Sequence, residues 1–429
     1  MMRLYYSICL LLAWSWVQAQ PVEIVFWHSM AGDLGLQVKK ITDDFNSSQS
    51  QYRIKPVYKG EYLESLTSFA AAFRAKQPPA LVQVFEVGTS TMLSPKGIIK
   101  PVDELMNEQG VVLPKTDFFP VVQGTYSEQG HLMAMPFNTS IPVLFYNADV
   151  LSQLGYNAET FPKTWDELEI LAAKLLKAGF PCAYTTAYPG WILIESFAAI
   201  HDRAMIDSSQ TRAVYNNPVI THHLERLVRW QHLHYFEYGG RTDDATTLFT
   251  SGHCPLLSQS SGGYRSLAAI VPFKVGVASL PWDNQLSTHR GNNVAGGAAI
   301  WVTAGLSATT YQGIAQFFNY LAQPNVQLYW HQHTGYLPIG LQGVYQLVAQ
   351  ASKEPVIGLA KLELAGNGFS GHRTAVPLPN QIRRINDEAL EIIFAGIKNP
   401  QQAMNDAVLQ ANHALLRFKR NTTPQLRYN

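Results

Sequence analysis

From Val22 to Phe85 the apolar residues switch between two periods, and this alternation limits the fold more than any other feature of the chain. Val22 to Trp27 reads as a buried-strand run, apolar except for Glu23. Leu34, Val38, Ile41 and Phe45 then recur at spacings of four, three and four, one face of a helix. Tyr52 to Tyr58 reads as a second strand. Tyr62, Leu66, Phe69 and Phe73 repeat the helical spacing until Pro78-Pro79 stop it, and Ala80 to Phe85 is a third strand. Strand, helix, strand, helix, strand implies a parallel sheet covered by helices. Such sheets bind ligands beyond the carboxyl ends of their strands. Glu86 lies at one such end. Tyr62 opens a helix, where free amides and the dipole favour anions or polyols.

A second alternation follows. Thr164 and Glu167 form a capping box, Leu168, Leu171, Leu175 and Leu176 make an apolar stripe, and Gly179 ends the helix. Strands are expected at Cys182 to Thr186, Pro255 to Ser258, Val275 to Leu280 and Val294 to Trp301. Helical sequence is expected around Trp191 to Ile200, Val219 to Tyr235, 310–322 and through Trp330 to Thr334. Between the two alternations runs Pro136 to Asn147, where Asn138, Thr139 and Ser140 separate two apolar blocks. Buried hydroxyls and amides need partners, so this stretch reads as a strand crossing a cleft or as a polar turn before a strand. With no repeat and no low-complexity linker, two α/β lobes joined by several crossings fit best.

Charged residues make up 15% of the chain, 32 basic against 31 acidic, and no basic run points to nucleic acid. Residues 1–19 read as a secretory signal: Arg3, then a short apolar core from Ile8 to Trp16, then Val17-Gln18-Ala19. No later apolar run has the length of a membrane helix. An exported, soluble mature protein is expected. Cys182 and Cys254 remain after cleavage, and the compartment permits a disulfide, but two separate buried thiols fit the sequence equally well.

Enzyme signatures are missing. The chain has no G-x-S-x-G, H-E-x-x-H or phosphate-loop motif, and no second carboxylate stands out beside Glu86 for acid–base work. His222, His223, His232 and His234 cluster beside Arg226 and Arg229, and the arginines oppose a metal site. No metal and no cofactor are expected. Tyr, Trp, Ser and Gly in a cleft suit a small polar solute.

The whole mature chain resembles the extracellular solute-binding proteins of the maltose-binding-like family, which serve ABC importers. The markers are Pro162-Lys163-Thr164-Trp165, the helix 310–322 with Pro324, and Trp330 through Thr334-Gly335-Tyr336-Leu337-Pro338. Further stretches resemble the glycerol-phosphate-binding branch of that family. These are Phe26-Trp27-His28-Ser29-Met30, Tyr58-Lys59-Gly60, Gln83 to Thr89, Pro136-Phe137-Asn138, Gly296-Gly297-Ala298 and Gln381-Ile382-Arg383.

The resemblance implies a two-lobed periplasmic binding protein. Each lobe is a mostly parallel sheet flanked by helices, with 20–137 and 294–336 in the N-terminal lobe and 138–293 and 337–429 in the C-terminal lobe. It implies a monomer that carries sn-glycerol 3-phosphate or a glycerophosphodiester to membrane permease subunits and does no chemistry. The ligand residues it implies are Tyr62, Glu86, Ser140, Ser260, Gly297, Tyr336 and Arg383, with Trp165 packing on the glycerol. Tyr188 stands where the branch has tryptophan, and Thr139 where it has serine. Arg383 is expected on the phosphate. Glu86, which would repel phosphate, is expected at the glycerol end. An oligosaccharide binder of the same fold, an exported hydrolase using Glu86 and a metal carrier using the histidines are the rival readings.

Overall fold

The computed structural model describes residues 20–93, 96–111, 113, 125–209, 211–339, 356–359 and 379–422. The expected signal, 1–19, lies outside them, as does part of the expected 337–429 segment. Two five-stranded sheets organise the chain. The first uses β1 (Val22–His28), β2 (Tyr52–Tyr58), β3 (Leu81–Phe85), β4 (Met135–Ser140) and β10 (Gly296–Val302), in the order β2-β1-β3-β10-β4. The second uses β5 (Pro142–Asn147), β6 (Tyr184–Thr186), β7 (Phe236–Glu237), β8 (Leu256–Ser260) and β9 (Val275–Ala278), in the order β9-β5-β8-β6-β7.

Each sheet contains a single reversed strand, and in each it is the strand that enters from the other lobe. β10 runs antiparallel to both β3 and β4, and β5 runs antiparallel to both β8 and β9. The other strands of each sheet share one direction, so the expected parallel character is present. The first passage between sheets falls at Ile141, between the end of β4 and the start of β5. The sequence reading put it at 137/138. β4 stays paired with β10 through Ser140, which carries the first sheet that much further.

Helices cover the sheets as their periodicity requires. In α1 (Gly32–Ser48), Val38, Ile41 and Phe45 are buried. In α2 (Tyr62–Arg74), Leu66 and Phe69 are buried. α3 (Trp165–Lys177) has the expected capping box, with Thr164 accepting from the Glu167 amide. α4 (Pro218–His232) is capped by Asn217, and α5 (Ala308–Leu321) and α6 (Pro324–Thr334) pack on the first lobe. α7 (Pro379–Phe394) buries Ile382, Ile385, Ala389 and Leu390 in the second lobe, and α8 (Pro400–Thr422) packs along it. Residues Gly190–Ser196 form a π-helical turn rather than the ordinary helix expected there.

Cys182 and Cys254 form a disulfide with their Cα atoms 4.7 Å apart. The bond ties the segment entering β6 to the one entering β8, and those strands pair side by side. The four histidines do not share a face. His223 is fully buried and stacks on Phe197 at 3.7 Å, while His222, His232 and His234 are exposed.

Candidate functional site

The strand ends of both sheets face each other across the passage at Ile141. At the bottom sits Arg383, on the first part of α7. Its Nη1 donates to Oε1 of Glu86 at 2.6 Å, and its Nε and Nη2 donate to the two carboxylate oxygens of Glu195 at 2.8 and 2.6 Å. Glu86 follows β3 in the first lobe, and Glu195 lies in the π-helical turn of the second. All three side chains are largely buried, at 16% exposed for Arg383 and 12% for each acid. Burial pushes the Glu86 pKa up against the pull of Arg383, and Glu195 adds to the push. Asp387, one turn along α7, accepts from the Gly190 amide at 3.0 Å, and burial raises its pKa to about 7.

The sequence reading set Glu86 and Arg383 at opposite ends of a ligand, whereas the structure joins them. Two opposite charges withdrawn from water into one cleft lower each other's desolvation cost by pairing. Glu195 and Asp387 were missed. Glu195 is embedded in the apolar run from Trp191 to Phe197, where nothing marks it. Asp387 had a readable signal, its i+4 spacing from Arg383.

A hydrogen-bonded relay lines the first lobe. Gln83 accepts from the Ser29 amide at 2.8 Å and donates to Asn138 Oδ1 at 2.8 Å. Asn138 Nδ2 donates to the Tyr62 hydroxyl at 2.9 Å. The Tyr62 ring stacks on Phe85, which fixes its direction. Burial holds the Tyr62 hydroxyl protonated, and Tyr336, Tyr188 and Glu86 are near enough to raise its pKa further. Tyr336 follows the left-handed Gly335, stacks on Trp330 and lies over Gly262, where an added Cβ would meet its ring at 2.5 Å.

Ser140 pairs opposite Gly296 at the edge of this space. Ser260 caps the turn that follows β8, accepting from the Gly262 amide. Gly297 has φ +104°, and a Cβ there would stand 1.8 Å from the Asn138 carbonyl oxygen. Only glycine fits where β10 meets β4. Tyr188 holds a left-handed φ of +46°, is 36% exposed, and feels the charges of Asp243 and Glu61 and the nearby hydroxyl of Tyr336.

Trp165 does not join the others. It is 4% exposed, and Tyr184, Phe197, His223 and Trp230 surround its ring at centroid distances of 4.7–6.3 Å. As the first residue of α3 it falls on the same buried stripe as Leu168, Leu171 and Leu175, which points it into the core.

Residues 40–355 match the family model of bacterial extracellular solute-binding proteins. The chain belongs to this family. This solute-binding protein is 39% identical over 428 residues to the sn-glycerol-3-phosphate-binding periplasmic protein UgpB of Yersinia enterocolitica, covering 96% of this chain and 97% of that one. It is 37% identical to UgpB of Escherichia coli O6:K15:H31, covering 94% and 95%. Among solved structures it is similar to UgpB from Mycobacterium tuberculosis in complex with glycerophosphocholine, with a TM-score of 0.77 at 20% identity, covering 94% of this chain and 100% of that one. It is equally similar in fold to the GacH receptor of Streptomyces glaucescens, with a TM-score of 0.77 at 15% identity, covering 94% and 99%. Both are two-lobed solute-binding folds. Among the described residues, no helix is long and apolar enough to cross a membrane.

Proposed function

We propose that this solute-binding protein is the periplasmic receptor of an ABC importer, and that it closes on sn-glycerol 3-phosphate or a glycerophosphodiester such as glycerophosphocholine. The observation that carries the reading is the buried guanidinium of Arg383, poised between two lobes at strand ends lined by hydroxyls. A permanently charged guanidinium that turns Nη1 toward the opposite lobe suits a phosphate better than a neutral sugar, which argues against the oligosaccharide reading.

A phosphate oxygen entering the cleft takes Nη1 of Arg383 in place of Glu86. The hydroxyls of Ser140, Ser260 and Tyr336 and the Gly297 amide supply further donors. Glu86, released, accepts from the glycerol hydroxyls, and Tyr62 steadies either end. Because the contacts come from both lobes, the ligand favours the closed state, which the permease subunits recognise. No bond is made or broken. The protein acts as an exported monomer after loss of residues 1–19.

Calorimetric titration with sn-glycerol 3-phosphate, glycerophosphocholine and maltose side by side tests this reading. Binding of one or both phosphates, with the ligand recovered intact, is expected. Binding of maltose alone, or hydrolysis of the diester, overturns it.

A further inference from the structure

The C-terminal helix carries charge that the cleft does not use. Asp406 is the last acid of the chain, and residues 407–429 hold Arg417, Lys419, Arg420 and Arg427. The protein as a whole is close to neutral, so this segment is a local excess. α8 also sorts its residues by face. Ala403, Met404, Ala407, Ala411 and Leu415 are buried in the second lobe. On the opposite side Leu409 and Leu416, two turns apart and 55% and 52% exposed, stand in line with the exposed His413, Arg417 and Arg420.

Beside this line, α8 and α7 leave an open groove of about 410 Å³. Ile385 and Leu416 give it an apolar lining, and Arg384, Arg417 and Arg420 a cationic one. The neighbouring acids are engaged elsewhere or locally: Glu388 pairs with Arg384, and Asp406 with Lys398. Among the described residues, no carboxylate pairs with Arg417 or Arg420. Guanidinium groups hold phosphate through paired N–H donors. A helix face that sets leucines among cations suits the headgroup layer of an anionic bilayer, with the leucines entering the acyl boundary and the cations meeting the phosphates. An acidic protein segment would satisfy the arginines and leave the exposed leucines unexplained. We propose that the exposed face of α8, with the groove against α7, is a docking surface for anionic phospholipid that holds the second lobe reversibly at a membrane.

Arg417 and Arg420 take no part in the cleft, so the docking surface stands whichever solute the protein binds. The experiment is vesicle cosedimentation of the protein purified in its exported form, and of the double variant Arg417→Gln/Arg420→Gln. The vesicles are pure phosphatidylcholine, or phosphatidylcholine and phosphatidylglycerol in equal parts. A soluble polyglutamate peptide at the same ionic strength is the third probe. The native protein is expected to bind the anionic vesicles at least about tenfold more tightly than the neutral ones, and the variant to lose most of that ratio. Raising the salt from about 50 to about 300 mM is expected to release the native protein. Leu416→Gln is expected to weaken binding to the anionic vesicles while leaving its salt dependence in place.

Equal binding to both kinds of vesicle, or binding to neither, overturns the docking surface. Binding to polyglutamate without binding to the anionic vesicles overturns it in favour of an acidic protein partner. A double variant that keeps the native ratio places the anionic contact elsewhere and overturns it as well. The native comparison and its salt dependence are decisive even if a variant does not fold.

Discussion

Arg383 and Glu86 meet across the cleft, Nη1 to Oε1 at 2.6 Å, the one carried by α7 of the second lobe and the other by the turn after β3 of the first. Under the proposed function, their contact is expected to couple ligand binding to lobe closure, because the same guanidinium would serve both.

Arg383→Ala is expected to weaken a phosphorylated ligand by about 2–5 kcal/mol, the range for removing one partner of a buried charged pair. It should also lower stability, since Glu86 and Glu195 are left facing each other without a cation. Titration and thermal unfolding, with and without ligand, check both effects. Unchanged affinity rejects Arg383 as the phosphate partner.

Asp387 gives a pH signature. Its pKa is raised from 3.8 to about 7, so the folded state holds a proton that the unfolded chain has released between those values. Stability from this group is full below about pH 4 and is lost as pH rises toward 7, by a few kcal/mol at about 1.4 per unit. The buried histidines act oppositely: His28, lowered to about 4 by burial, favours the folded state as pH rises. The difference between native protein and Asp387→Asn isolates the carboxyl. Denaturant midpoints should diverge in slope between pH 4.5 and 7.

Gly297→Ala is expected to destabilise the fold by at least about 1–3 kcal/mol, the cost of forcing a side chain into that backbone region, with the clash on Asn138 added. Urea unfolding measures it. Gly305, also at positive φ but in open space, is the control for backbone strain alone.

The Cys182–Cys254 bond closes a loop with a sequence separation of 72, so reduction should cost about 2–4 kcal/mol. Thiol labelling of the native, non-reduced protein should find no reactive cysteine. The melting temperature should fall on adding reductant.

Tyr188→Ala should weaken glycerophosphocholine more than sn-glycerol 3-phosphate, because an aromatic face attracts a quaternary ammonium by about 0.5–2 kcal/mol. Equal losses for both ligands, read by titration, would place Tyr188 at the other end of the ligand.

The sequence revealed elements whose signals are local. The stripe of Val38, Ile41 and Phe45 and the box of Thr164 and Glu167 lie within a few residues of what they specify. The site was legible only where a motif carried it. Trp165 shows the limit: a family marker drew it toward the ligand, while its position on the Leu168 stripe drew it into the core, and packing decided. Glu195 shows the converse, since a carboxylate in an apolar run has no meaning until α7 brings Arg383 beside it.

The single-residue passage at Ile141 sets the mechanics of opening. Its amide donates to the Ser261 hydroxyl oxygen at 3.2 Å, and its carbonyl accepts from the Ser261 amide at 2.8 Å. Leu337 adds a backbone bond to Thr139 on the same side. The return path from β9 to β10 is a long span by comparison. That span is itself stitched to the second lobe, with Asn293 donating to the Pro142 carbonyl at 3.0 Å and the Gly291 amide to the Ile200 carbonyl at 2.7 Å, and the chain crosses once more between α6 and α7, so the molecule resembles a door on several hinge leaves rather than one pin. Under the proposed function, a solute held by both lobes is expected to leave in a single event, as its contacts with the two lobes part together.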